Sequence, residues 1–414
     1  MSCLHYQQNE LCIENVNLKT IAEAFGTPCY VYSRAAIHAS WQAFDQAFNP
    51  VPHRICYAVK ANSNIAILNI LAKLNSGFDI VSLGELERVI AAGGHPQNIF
   101  FSGVGKNLVE IERAAQLGIF CFNVESEPEL ERLALIATRQ NKIINIALRI
   151  NPDVNPQTHA HITTGTRENK FGIDMHDIIP ICQQLVAQPQ LHLIGLAFHI
   201  GSQIIELDPF LFAIDHLLKL YQKLRRMNFN ICQINIGGGL GITYHHEHPP
   251  SIQDYTNAVK AKIAPYPLEI IVEPGRSIIG HAGILLTRVE YLKQSHHKNF
   301  AVVDAGMNDL LRPALYQAWQ NILPVVQHPI EKKHYDIVGP ICESADFLGN
   351  NRELALHPND LLAIDSVGAY GFCMSSNYNS RCRPAEVLVD DKQIHLIRRR
   401  ETIADLVGLE YLQF

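Results

Sequence analysis

Long runs of one charge sign are missing from this 414-residue chain. Net charge is −6, and the longest basic string is Arg398, Arg399 and Arg400, followed at once by Glu401. No basic tract is available to follow a phosphate backbone, which argues against a nucleic-acid partner. The arginine string reads as a solvated face. Apolar stretches long enough to cross a bilayer are also missing, so no membrane span is expected. The start, MSCLHYQQNE, lacks the basic residues and apolar run of a secretion signal. Ten cysteines occur, but none at CxxC spacing. They read as free thiols of a cytoplasmic protein rather than as a disulfide or zinc framework. Low-complexity segments and linkers with a sharp composition shift are absent as well.

What is present is a large apolar content, 47% of residues. That is enough for a sizeable core, and the length suggests two domains. From about Ile55 to Glu273 one pattern repeats: a short β-branched run, a helical stretch, another short run. Eight candidate strands begin near Ile55, Phe78, Ile99, Cys121, Asn145, Leu193, Gln233 and Glu269. Runs this short and this uniformly apolar fit parallel strands covered on both faces. Between them, Leu86, Val89 and Ile90 share one helical face, ended by Gly93-Gly94. Leu130, Leu133, Ala134 and Ala137 share another, opened by a capping box from Ser126 to Glu129 with Pro128 in the first turn. Eight alternating units in this length predict a (β/α)₈ barrel over residues 31–284. The alternative is an open doubly wound sheet. Its mark is a Gly-rich turn after the first strand, and that strand ends instead in YAVKAN.

After about Gly283 the helical spacing stops. ILLTRVEYL, FAVVDAG, YDIVGPICES, DLLAIDSV, AEVLVDD and QIHLIRR are β-like runs separated by turn residues. They predict an all-β domain over 285–414, to which residues 1–30 add strands or from which they lead into the barrel.

A barrel carries its chemistry at the C-terminal ends of its strands. Lys60 closes the first run, His199 the sixth, Gly237, Gly238 and Gly239 follow the seventh, and Glu273 with Arg276 closes the eighth. Singly, each has an ordinary reading: a surface lysine, a core histidine, a loop, an ion pair. Together on one rim they suit a phosphorylated aldehyde cofactor. A lysine amine joins a carbonyl as a Schiff base. Glycine amides reach a phosphate. A carboxylate keeps a pyridine nitrogen protonated. An imidazole stacks on the ring, and Arg276 binds a phosphate or a substrate carboxylate.

The motifs YAVKAN, FHIGSQ, GGGLG and EPGR, in this order, resemble the fold-type III pyridoxal-phosphate decarboxylases. The resemblance implies a barrel paired with a C-terminal β-domain and pyridoxal 5′-phosphate as cofactor. Lys60 would carry it, His199 stack on it and Glu273 hold its nitrogen. Ser202 and the three glycines would bind its phosphate, and Gly275 and Arg276 would also contact the cofactor.

In the second domain, DAGMNDLLRPALYQA, GPICESAD and GAYGFCMSSNYN resemble the diaminopimelate decarboxylases within that group. This implies decarboxylation of meso-2,6-diaminopimelate to L-lysine, the last step of lysine biosynthesis. Arg276, Arg312 and Tyr316 would clamp the distal carboxylate and Glu343 the distal ammonium. Tyr370 would reach the cofactor phosphate or the substrate, and Cys342 would donate a proton. The family's sites are built across a homodimer, with Cys342 and Glu343 from the second subunit.

A decarboxylase of ornithine, arginine or carboxynorspermidine is the nearest alternative, and Arg312 with Tyr316 argues against it. A racemase would place an arginine where Glu273 stands. A non-catalytic regulatory homologue would have lost Lys60 or the phosphate groups. The histidines of YHHEHPP (His245, His246, His248) read as a polar loop. With His159 and His161 in a loop resembling the family's cover of the site, they imply no metal.

Overall fold

The short apolar runs form strands because each is covered on both faces. The computed structural model describes residues 3–154 and 169–413. Its barrel strands are β1 (His53–Ala58), β2 (Gly77–Ile80), β3 (Ile99–Phe101), β4 (Cys121–Val124), β5 (Ile144–Asn151), β6 (Leu191–Ala197), β7 (Gln233–Asn235) and β8 (Glu269–Val272). Every neighbouring pair is parallel, and β8 pairs back onto β1. The ring is therefore closed, which decides against the open sheet. Cys56, Phe100, Cys121, Ala147, Ala197 and Ile271 form one buried cluster from six of the strands. Full burial of a side chain the size of Phe100 contributes about 1.5–3 kcal/mol.

Helices Ile65–Lys73, Leu83–Ala91, Leu108–Leu117, Glu127–Gln140, Ile178–Leu185, Asp208–Arg226 and Ile252–Ile263 connect successive strands. Leu83–Ala91 buries Leu86 and Val89, and its chain turns out at Gly93 with φ +86°. The capping box expected at Ser126 is not made: the Ser126 side chain caps nothing. Glu129 is drawn elsewhere. Its carboxylate accepts from Lys106 Nζ at 2.7 Å and from the Glu125 amide at 2.9 Å. Lys106 is almost wholly buried and has to be neutralised, and that requirement outweighs a local cap worth about 1 kcal/mol. A complete capping box occurs instead between Asn107 and Glu110.

The chain divides into two compact units, one of residues 40–242 and 247–277, the other of 1–39, 243–246 and 278–414. In the second unit strand Cys29–Ser33 lies between Gly283–Gln294, antiparallel, and Ala385–Asp390, parallel. A division at residue 31 would cut that strand. Asn299–Val303, Lys333–Val338, Leu361–Ile364 and Gln393–Arg398 extend the sheet. Two strands that the sequence analysis lacks are also there, Ile322–Pro324 and Phe347–Leu354. Leu4–Gln7, Glu10–Ile13 and Val16–Asn17 make a small sheet of their own.

The Arg398–Arg400 string is not a plain solvated face. Arg398 Nε pairs at 2.7 Å with Glu386, which is fully buried and needs a cation. Arg399 pairs with Asp405, and Arg400 donates to the carbonyls of Phe25 and Pro28. His159 and His161 lie outside the described residues.

Candidate active site

The barrel strands deliver one polar side chain after another to a single mouth. Lys60 stands in the turn Val59–Ala61 after β1, Asp79 in β2 and Ser102 directly after β3. Asn123 is in β4, Arg149 in β5, His199 two residues past β6, and Glu273 directly past β8. All of these line one cavity of about 400 Å³. That volume is within the range of small-molecule sites.

Hydrogen bonds chain these groups together across the barrel. Ser102 Oγ donates to Asp79 at 2.5 Å, and Asn123 Nδ2 donates to Ser102 Oγ at 2.9 Å. Glu273 Oε1 accepts from Asn235 Nδ2 at 2.6 Å and from Asn123 Nδ2 at 3.2 Å. The carboxylate of Glu273 is thus bonded by two asparagine amides, not by Arg276. Arg149 pairs at 2.7 Å with the buried Glu125, which also accepts from the Gly103 and Gly172 amides.

The electrostatics follow from burial. Loss of water, and next the charge of Asp79, push Glu273 up to about 8, outweighing its bond to Asn235 and the nearby cations Lys60 and Arg149. Burial also raises Asp79, and it raises Glu85 to about 7. His199 is shifted the other way, well below its ordinary value, first by burial and then by Lys60 and Arg149. It is therefore a neutral imidazole. The Gly238 N–H donates to its Nδ1 at 3.2 Å, so its own proton sits on Nε2.

The glycine loop is held from within. The Gly237 amide donates to Asn235 Oδ1, and the Gly238 amide is spent on His199. The glycines are also required sterically. A Cβ on Gly238 would stand 2.1 Å from the Glu273 carbonyl, and Gly237 has φ +64°. Gly239 packs on the Gly201 carbonyl, beside Ser202, and Ser202 Oγ accepts from Arg276 Nη2 at 3.1 Å. Gly275 is hemmed in by Ala58 and Ala61. Ser202, Gly239 and Arg276 thus form a second polar group on the barrel.

In the β unit, Arg312 is buried at the start of the short helix Arg312–Tyr316, its guanidinium 4.8 Å from the Tyr244 ring. Cys342 and Glu343 are adjacent and exposed. The Cys342 amide donates to Asn379 Oδ1 at 2.9 Å, and Glu343 accepts from the Tyr378 hydroxyl at 2.9 Å. Tyr370 is half-buried with φ +56°.

The residues fit a pyridine-aldehyde phosphate. Asp79 Oδ2 and Asn123 Oδ1 are buried with no hydrogen-bond partner, which leaves the cavity wall short of donors. A cationic ring nitrogen beside Glu273 would relieve the crowding of negative charge. Asp79, Ser102, Asn123, Arg149 and Asn235 are missing from the sequence-derived set. Ser102 follows its apolar run directly, whereas Asp79, Asn123, Arg149 and Asn235 are polar residues inside theirs.

Comparison with known proteins agrees. Residues 34–280 match the model of the pyridoxal-dependent decarboxylase pyridoxal-binding domain. The chain is 52% identical to diaminopimelate decarboxylase of Pseudomonas aeruginosa, over 100% of this chain and 99% of that one. It is 51% identical to the same enzyme of Haemophilus influenzae, over 99% of each. Crystal structures of diaminopimelate decarboxylase with L-lysine superimpose with TM-scores of 0.92 for Helicobacter pylori and 0.95 for M. jannaschii. Identities there are 40% and 36%, covering 95% and 99% of this chain and 99% and 98% of those. The chain belongs to the diaminopimelate decarboxylase family of pyridoxal-dependent decarboxylases.

Proposed function

We propose that the chain uses pyridoxal 5′-phosphate, held through Lys60, to release CO₂ from meso-2,6-diaminopimelate and give L-lysine. The observation that carries this reading is Glu273, a buried carboxylate facing the same cavity as Lys60 and a neutral His199. Relatives carry that activity in their names, and two solved ones hold L-lysine. When bound, the cofactor supplies an electron-withdrawing ring that takes up the electron pair of the breaking C–C bond.

The chain's own residues do the rest. Lys60 would hold the aldehyde carbon through its amine. Glu273 holds a proton at the ring nitrogen and keeps it cationic. His199, being uncharged, covers a ring face without opposing that charge. Ser202, the Gly239 amide and Arg276 bind the phosphate, with Tyr370 reaching it or the substrate. Arg312 with Tyr316 holds the distal carboxylate, and Glu343 the distal ammonium. Cys342 returns a proton to the carbon that has lost CO₂. Ornithine and arginine have no distal carboxylate, so Arg312 would be idle with them.

Cys342 and Glu343 are exposed on the β unit. A homodimer in which they enter the partner's site makes use of that exposure. Ten free thiols suit the reducing cytoplasm.

Replacement of Lys60 by alanine tests the assignment. The variant is expected to bind no cofactor covalently and to release no CO₂ from diaminopimelate above background. Lysine formation at the unmutated rate would refute it.

A further inference from the structure

We propose that His328, His357 and Asp360 form a binding site for one divalent transition-metal ion of the zinc type. None of the three lines the barrel cavity, and the polar-loop histidines contribute nothing to it. One ligand atom from each residue lies within 4.8 Å of the other two.

The fold brings them together for a definite reason. Strands Ile322–Pro324 and Leu361–Ile364 pair antiparallel, and the Val325 amide extends the ladder to the Leu361 carbonyl at 2.8 Å. Residue 328 therefore falls opposite the tight turn that ends at Asp360. Within that turn the His357 amide donates to Asp360 Oδ2 at 2.6 Å, which fixes the carboxylate. Its other oxygen meets His328 Nε2 at 3.0 Å, and the two imidazoles meet edge to face at 4.6 Å. Two ligands of a tetrahedral ion at about 2.0–2.2 Å stand ~3.3 Å apart, so the His328–Asp360 contact already has nearly that spacing.

Two imidazoles and one carboxylate suit zinc, nickel or cobalt. Calcium and magnesium require oxygen donors throughout. Access is open: His357 is exposed, and the His328 and Asp360 side chains keep 22% and 17% of their surface. Three protein ligands leave a position for water. Since the ligands come from both sides of a strand pair, the ion would clamp its end and stabilise the β unit. The ordinary alternative is a His328–Asp360 ion pair with no metal.

Calorimetric titration of zinc into chelator-stripped holoenzyme separates the two. One ion per chain is expected, with a rise in melting temperature. His328→Ala and His357→Ala should each weaken uptake at least about tenfold, while His245→Ala, whose ring is stacked 4.1 Å from Trp319, should not. His357 lies on the surface, so unchanged turnover of His357→Ala and of His357→Gln reports an intact fold. Absence of stoichiometric uptake overturns the proposal. So does uptake that survives in both His357 variants, which would place the ion elsewhere.

Discussion

A carboxyl group at the mouth of a barrel is costly to ionise, and Glu273 shows it. Its ordinary value is 4.5, and burial together with Asp79 brings it to about 8. Between these values the folded apo chain keeps a proton that the unfolded chain has released. Stability from this group is whole below 4.5 and is lost as pH rises through about 8. Glu85, raised to about 7, acts in the same direction. A pyridinium beside Glu273 removes that penalty. The holo-minus-apo melting difference should therefore widen from about pH 5 to about pH 8. Glu273→Gln should flatten this trend and lower kcat on the order of 100-fold. A difference that ignores pH in the native chain would contradict this account. Lys60, His199 and Glu273 were legible because each stands just past an apolar run. Asp79, Asn123 and Asn235 were not, because a single polar residue inside a run looks like an interruption of a strand. Only the closed ring shows that they face one another.

Local signatures hold within an element until a buried charge competes for the same side chain. Ser126 sits at a helix N-terminus with the spacing of a capping box, yet Glu129 serves Lys106. Thermal melting distinguishes the two roles. Ser126→Ala should be nearly neutral, whereas Asn107→Ala, which removes a made cap, should cost about 1 kcal/mol. Glu129→Gln strands the Lys106 ammonium in the interior and should cost about 3–5 kcal/mol. Equal losses for Ser126 and Asn107 would show that the first cap is made after all. The barrel strands were legible because parallel strands covered on both faces are short and uniformly apolar. Phe347–Leu354 was not: FLGNNREL carries four polar residues and one glycine, and only pairing with Lys333–Val338 makes it a strand. The Arg398–Arg400 string was misread for a related reason, since most of its partners are distant in sequence.

For the molecule as a whole, the proposed dimer supplies Cys342 and Glu343 from a second chain. Lys60→Ala and Cys342→Ala should each be inactive alone. Mixed and reassociated at random, half the dimers hold one variant of each kind, and each of these has one intact site of two. Recovered activity should be about a quarter of the native value. No recovery would mean that each chain completes its own site. The most direct test of the central claim is CO₂ release by the holoenzyme from meso-diaminopimelate, ornithine and arginine in parallel. Turnover confined to diaminopimelate, with lysine as product, is the predicted result. Preference for ornithine or arginine would leave the barrel and its cofactor groups standing but would contradict the distal-carboxylate role given to Arg312 and Tyr316.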